Sequence, residues 1–155
     1  MKKSSQFFAA IVMVLLSVSV ARSHCEIPCG IYDDQMRVHM IAEHIDTIEK
    51  SMNEVIKLQS EDPKNYNQLV RWIVNKENHA DKLQDIVTQY FMTQRIKIDD
   101  NAYTKKLVVL HKMIVYAMKC KQTIELSHTE TLRNLLKQFS ELYFENSHHK
   151  KEKKE

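Results

Sequence analysis

Residues His24-Cys25-Glu26-Ile27-Pro28-Cys29-Gly30-Ile31-Tyr32 concentrate the chain's chemistry. They hold two of the three cysteines, one of the two prolines and the only glycine. If His24 begins the mature chain, four donors converge: its α-amine, its imidazole, and the Cys25 and Cys29 thiolates. The backbone nitrogen of Cys25 becomes a fifth if it deprotonates. Three residues separate the two cysteines, a short enough reach for both sulfurs to meet one ion. Pro28 stiffens that connection and Gly30 tolerates positive φ, as a tight turn requires. Thiolates select soft or borderline metals. Amine and amide nitrogens favour a planar set, which suits nickel(II) or copper(II) better than tetrahedral zinc. Copper(II) tends to oxidise paired thiolates. Strong sulfur and amide donation makes nickel easier to oxidise, so a nickel(II)/nickel(III) cycle is within reach. An axial imidazole would favour the oxidised state.

The same spacing has a second reading. Two nearby cysteines in an exported chain form a disulfide, so a Cys25–Cys29 bridge stands beside the metal site. The preceding residues bear on the choice. Met1-Lys2-Lys3 is a basic start, Phe7 to Ala21 is an apolar run, and Ala21-Arg22-Ser23 places small residues where a signal peptidase reads. This is the pattern of a secretory signal peptide over 1–23, too short for a comfortable membrane span. An uncleaved anchor is the alternative. The expected cut falls before His24, so removing the leader would also expose the amine that completes the site. No twin arginine is present, which points to general secretion. The expected destination is periplasmic or extracellular, with an organelle lumen also open.

The leader carries Lys2, Lys3 and Arg22 and no acid. Without it the 23 Lys+Arg of the whole chain fall to 20, against 20 Asp+Glu. The basic character therefore belongs to the leader, and no basic patch for nucleic acid is expected. No membrane association is expected after cleavage. One glycine and two prolines argue for an all-helical chain. No phosphate loop, nucleophile elbow, zinc-finger spacing or internal repeat is present.

Four helices must position the hook at residues 24–32. The first starts at Asp33 or Asp34 and ends near Gln59. Its apolar stripe is Met36, Met40, Ile41, Ile45, Ile48, Met52, Val55 and Ile56. Asp62-Pro63 marks the loop that follows. The second runs from Asn65 to Gln94 with Leu69, Trp72, Ile73, Ala80, Leu83, Ile86, Val87, Tyr90 and Phe91 inward. Lys76 interrupts this stripe and reads as a rim residue with its head in solvent. Residues 97–101 form a turn whose Asp or Asn caps the third helix, Ala102 to Gln122. That helix faces Leu107, Leu110, Met113, Ile114, Ala117 and Met118 inward and carries Cys120 as a buried or half-buried free thiol; pairing between chains is the other reading of Cys120. Ser127-His128-Thr129-Glu130 fits a capping box for the fourth helix, which is expected to end near Glu145. Residues 146–155, with His148, His149 and a Lys-rich end, read as a disordered charged tail. The histidines at 39, 44, 79, 111 and 128 have no ligand spacing among themselves and read as surface or capping residues. The expected architecture is an up-down antiparallel four-helix bundle over 33–145, preceded by an N-terminal metal-binding hook.

The pattern H-C-x-x-P-C-G-x-Y at residues 24–32, directly after the expected cut, resembles the nickel hook of nickel superoxide dismutases. Over the rest of the chain the resemblance lies in length, helical architecture and the Tyr90-Phe91 pair. It implies that the His24 amine, the Cys25 amide nitrogen and the Cys25 and Cys29 sulfurs form a nickel plane, with the His24 imidazole axial. It implies that Tyr32 sits above the open face and orders water, admits substrate or delivers protons, with Tyr90 as a second tyrosine. The implied reaction is disproportionation of superoxide to oxygen and hydrogen peroxide, by a hexamer of such bundles. The family orients its histidine through a carboxylate and an arginine. Here the corresponding count gives Met40, with Glu43 nearby, and Arg71 is the arginine within the second helix. Many members carry a short propeptide cut by a dedicated protease, whereas this leader resembles an export signal. Two other readings stand: a secreted helical interaction protein with a Cys25–Cys29 disulfide, and a nickel or copper carrier using the hook without turnover.

Overall fold

The structure is a computed structural model that describes residues 30–152, with side chains through Phe144. The leader, the hook residues before Gly30 and residues 153–155 lie outside the described residues. So do the expected metal ligands His24, Cys25 and Cys29.

Helix α1 spans Asp34–Ser60. The Asp33 side chain caps it, Oδ1 accepting from the Met36 N–H at 2.9 Å. Helix α2 spans Tyr66–Asp85 and is capped by Asn65, whose Oδ1 accepts from the Gln68 N–H at 3.2 Å. It continues without a break as a π-helix over Ile86–Arg95. Helix α3 spans Tyr103–Gln122 and α4 spans Ser127–Glu152. Among the described residues there is no strand. Each helix packs on the next, and α4 closes on α1. The result is a helical bundle whose core is drawn from all four.

Ile41, Ile45, Ile48 and Met52 of α1 meet Leu83, Val87 and Phe91, Leu110 and Met113 of α3, and Leu132 and Phe139 of α4, all fully buried. Each such side chain contributes about 1.5–3 kcal/mol through burial. Met36, Ile56, Ile73 and Met118, expected in the stripes, are exposed instead, while Val38, Leu58 and Val109 are buried. Cys120 is a free, fully buried thiol, and burial pushes its pKa up to about 11. No helix among the described residues is long and apolar enough to cross a membrane.

Several local expectations change. Lys76 is not a rim residue: it is only 4% exposed. Its ammonium donates to the Lys121 carbonyl at 2.6 Å and the Thr123 carbonyl at 3.1 Å, closing the C-terminal end of α3. Helix carbonyls at that end lack intrahelical partners and carry partial negative charge, which is what a buried cation needs. The expected capping box at Ser127 gives way to a different start. Ser127 is already helical and donates to the Glu125 carboxylate at 2.7 Å. At the start of α3 the expected Asp-or-Asn role falls to Asp100, which accepts from the Ala102 N–H at 2.8 Å. Helix α4 runs to Glu152 rather than ending near Glu145, taking in most of the stretch expected as tail. No Gly or Pro after Phe144 stops it. Finally, His44 and His79 are not isolated surface histidines. Their Nδ1 atoms lie 3.1 Å apart across the α1–α2 seam, with the rings edge to face at 5.0 Å.

Candidate metal centre

Gly30, Ile31 and Tyr32 are the described residues of the 24–32 segment. Gly30 has φ +79°, a backbone shape that L side chains rarely adopt. A Cβ there would meet nothing within 4 Å, so the requirement for glycine is conformational rather than steric. Two residues on, Tyr32 lies against Tyr90 of the π-helix, ring centroids 5.9 Å apart and edge to face. The sequence singled out these two tyrosines, and the structure brings them together. Tyr90 is buried, whereas Tyr32 is 39% exposed and its hydroxyl makes no hydrogen bond among the described residues.

Asp34, in the first turn of α1, holds this end of the bundle together. Arg95 grips its carboxylate in fork geometry, Nε to Oδ1 at 2.8 Å and Nη2 to Oδ2 at 2.7 Å. The Tyr90 hydroxyl donates to Oδ1 at 2.7 Å and the Tyr143 hydroxyl of α4 donates to Oδ2 at 2.9 Å. Burial would raise the Asp34 pKa. The bonds from Arg95, Tyr90 and Tyr143 outweigh it and hold the carboxyl below its ordinary value. Burial and the Asp34 charge push the Tyr90 phenol up to about 12, so Tyr90 keeps its proton and spends it on Asp34. Tyr143 is raised for the same reasons, and the Asp34 bond raises Arg95.

Each site tyrosine also faces a guanidinium. Arg95 stands over the Tyr32 ring at 4.2 Å, and Arg37 over the Tyr90 ring at 5.0 Å. Beneath them Phe91, Phe139 and Tyr143 pack together, with Lys106 of α3 over the Tyr143 ring at 5.3 Å. All four helices therefore contribute to the wall behind the two tyrosines.

Sequence reading missed Asp34 and Arg95 as partners, and Tyr143 as a third donor to the same carboxylate. Met40, Glu43 and Arg71 are not the carboxylate–arginine pair of this site. The reason lies in the π-helix. Tyr90 and Arg95 are five residues apart, about 140° apart around an α-helix, yet both reach one carboxylate. The wider turn accounts for it: the Ile96 N–H bonds the Phe91 carbonyl at 2.9 Å, five residues back. Thr93 and Gln94 side chains likewise return five residues, to the Thr88 and Gln89 carbonyls. The apolar spacing gives no sign of the wider turn: Met92, which packs against the core, and Ile96 are four residues apart, as on an ordinary α-helix.

The described residues gather no group of three or more His, Cys, Asp or Glu side chains that could hold a metal. The imidazole and two thiols that suit a thiophilic ion by residue type, His24, Cys25 and Cys29, lie in the sequence before Gly30, outside the described residues. A helical bundle with a buried aromatic wall and a tyrosine pair flanked by two guanidinium groups, in a chain that carries such a segment, has the makings of a small redox metalloprotein. The family of nickel-containing superoxide dismutases matches residues 19–147, and the chain belongs to that family. It is a nickel-dependent enzyme that disproportionates superoxide. Comparison with curated proteins and with solved structures returned no match.

Proposed function

We propose that residues 24–32 form the nickel hook of this dismutase, leading into an up-down antiparallel bundle. In this reading the His24 amine and imidazole, the Cys25 amide nitrogen and the Cys25 and Cys29 sulfurs would hold the nickel. Two superoxide anions and two protons give one oxygen and one hydrogen peroxide. Bound nickel supplies the one-electron oxidation and the one-electron reduction. The chain supplies access, order and protons. Tyr32, with its hydroxyl free of other described partners, orients water or substrate at the open face. Tyr90 is a fixed wall: its proton stays on its own oxygen, directed at Asp34, so it positions Tyr32 rather than exchanging protons with solvent. The observation that carries this reading is the Tyr32–Tyr90 contact at 5.9 Å, made by the last residue of the 24–32 segment.

Residues 1–23 act as an export signal whose removal frees the His24 amine, and the enzyme works in a periplasmic or extracellular space. Assembly as a homohexamer is part of the same proposal. The exposed Tyr66, Val70 and Val74 on α2 provide apolar surface that such packing would cover.

Intact mass, metal content and dismutase activity of the protein from its native host test the proposal together. The expected result is a chain beginning at His24 with about one nickel per chain and fast turnover. A chain beginning elsewhere, or one two hydrogens light from a Cys25–Cys29 disulfide and free of nickel, would overturn the hook.

A further inference from the structure

Superoxide is a small anion, and the mature chain gives it little long-range guidance, with 20 basic against 20 acidic residues once the leader is gone. Local charge must then do the recruiting. Three charged side chains border the tyrosine pair: Asp34, Arg95 and Arg37. The first two neutralise one another through the fork at 2.7–2.8 Å. Arg37 differs. Its guanidinium lies half-buried over Tyr90 at 5.0 Å, and its Nη1 points to the Met40 sulfur at 3.6 Å. Among the described residues it forms no ion pair: the carboxylate contacts within 4.0 Å involve other cations. A ring face and a thioether are weak acceptors, so most of the five N–H donors of Arg37 remain available. A guanidinium is also weakly hydrated and presents its donors in a fixed plane, which lowers the penalty for taking up an anion.

We infer that Arg37 is the docking cation for superoxide, holding the anion beside Tyr90 by charge-assisted hydrogen bonds on its way to Tyr32. The inference rests on the proposed place of Tyr32 and Tyr90 at the substrate's entrance. It explains why one guanidinium at this end is tied to a carboxylate and the other is not. Arg95 fixes the architecture, and Arg37 keeps its charge for the substrate.

The test has two readouts. In the nickel-loaded enzyme, Arg37→Gln is expected to lower kcat/KM about tenfold at low ionic strength and to flatten its decline with salt. Arg37→Lys is expected to keep most of the salt dependence. Nickel content should equal wild type in both variants. In the nickel-free full chain, azide as a monoanion probe is expected to shift the Tyr90 ring resonances, and Arg37→Gln to abolish that shift. An Arg37→Gln enzyme with the wild-type salt dependence, one that loses activity only with its nickel, or a nickel-free chain whose Tyr90 ignores azide would each overturn the assignment. The azide readout needs no nickel, so it separates failure of this inference from failure of the hook.

Discussion

Asp33 and Asp34 are neighbours with divided tasks. Asp33 caps α1 through the Met36 N–H. That leaves Asp34 free to collect Arg95, Tyr90 and Tyr143. Replacing Asp34 by Asn removes the charge while keeping the shape. The Arg95 guanidinium, 24% exposed at its side chain, then loses its counter-ion in a partly dry setting. Loss of hydrogen bonds to a charged group at such a site costs about 1.5–3 kcal/mol, so Asp34→Asn should lower urea stability by that amount. The Tyr90 phenol, now pushed up to about 12 partly by the Asp34 charge, should titrate lower in the variant. Spectrophotometric titration of Tyr90 reads this directly, and an unmoved titration would show that Asp34 does not set the phenol. At this scale the sequence exposed the chemistry that lies along the chain. Cys25, Cys29 and Tyr32 are close in sequence and could be read together. The partners of Tyr90 are distant or out of helical phase. Asp34 looked like a cap, and Arg95 fell just past the expected end of the second helix at Gln94, because nothing in either residue's immediate surroundings names the other.

The π-helix over Ile86–Arg95 makes Tyr90 and Arg95 act on one carboxylate. This gives an asymmetric prediction for changes in length. Deleting Thr93, an exposed residue, leaves four residues of spacing, which an ordinary α-helix keeps on one face. The deletion should therefore retain the Asp34 fork, nickel content and dismutase activity. Inserting one Ala after Thr93 leaves six, about 240° around an α-helix. Arg95 would then face away from Asp34 and Tyr32, and activity should fall while helical content measured by circular dichroism is kept. Equal tolerance of both changes would mean that the π register has no part in the site. The elements themselves were legible because their signals are local. The Asp33 and Asn65 caps, the Asp62-Pro63 break and the apolar stripes place α1 and α2 nearly as observed. The π turn was not legible, since Met92 and Ile96 keep an α-helical spacing of four and nothing in the apolar pattern marks the wider turn. Lys76 was misread for a related reason. Its acceptors are the Lys121 and Thr123 carbonyls of another helix end, and a stripe drawn on one helix cannot contain them.

For the whole molecule, the seam between α1 and α2 links stability to pH. His44 and His79 meet at 3.1 Å through their Nδ1 atoms, so one ring must accept while the other donates. Two charged rings cannot do this, since both nitrogens would then carry protons. Burial lowers the pKa of both. Around the pair, Lys82 on α2 adds to the lowering, and Glu43 on α1 opposes it without prevailing; His79 itself further lowers His44. With folded values below the ordinary 6.5, the unfolded chain binds protons that the folded chain refuses. Their stabilising contribution is therefore complete above about pH 6.5 and is lost as pH falls below it toward the folded values. Asp34 has the same sign in a different window. Its lowered pKa contributes stability that is lost only as pH falls below the ordinary carboxylate value of 3.8. The histidine loss starts at the higher pH, below about 6.5, and the Asp34 loss starts only below 3.8, so the pair contributes to any decline between neutrality and about pH 5 whereas Asp34 does not. Urea unfolding of the nickel-free chain across that range should show stability falling with acid in wild type. His79→Asn, which leaves a single histidine in the seam, should flatten the decline while leaving the fall at lower pH in place. A variant as acid-sensitive as wild type would remove the histidine pair from the account and transfer the effect to groups outside the α1–α2 seam.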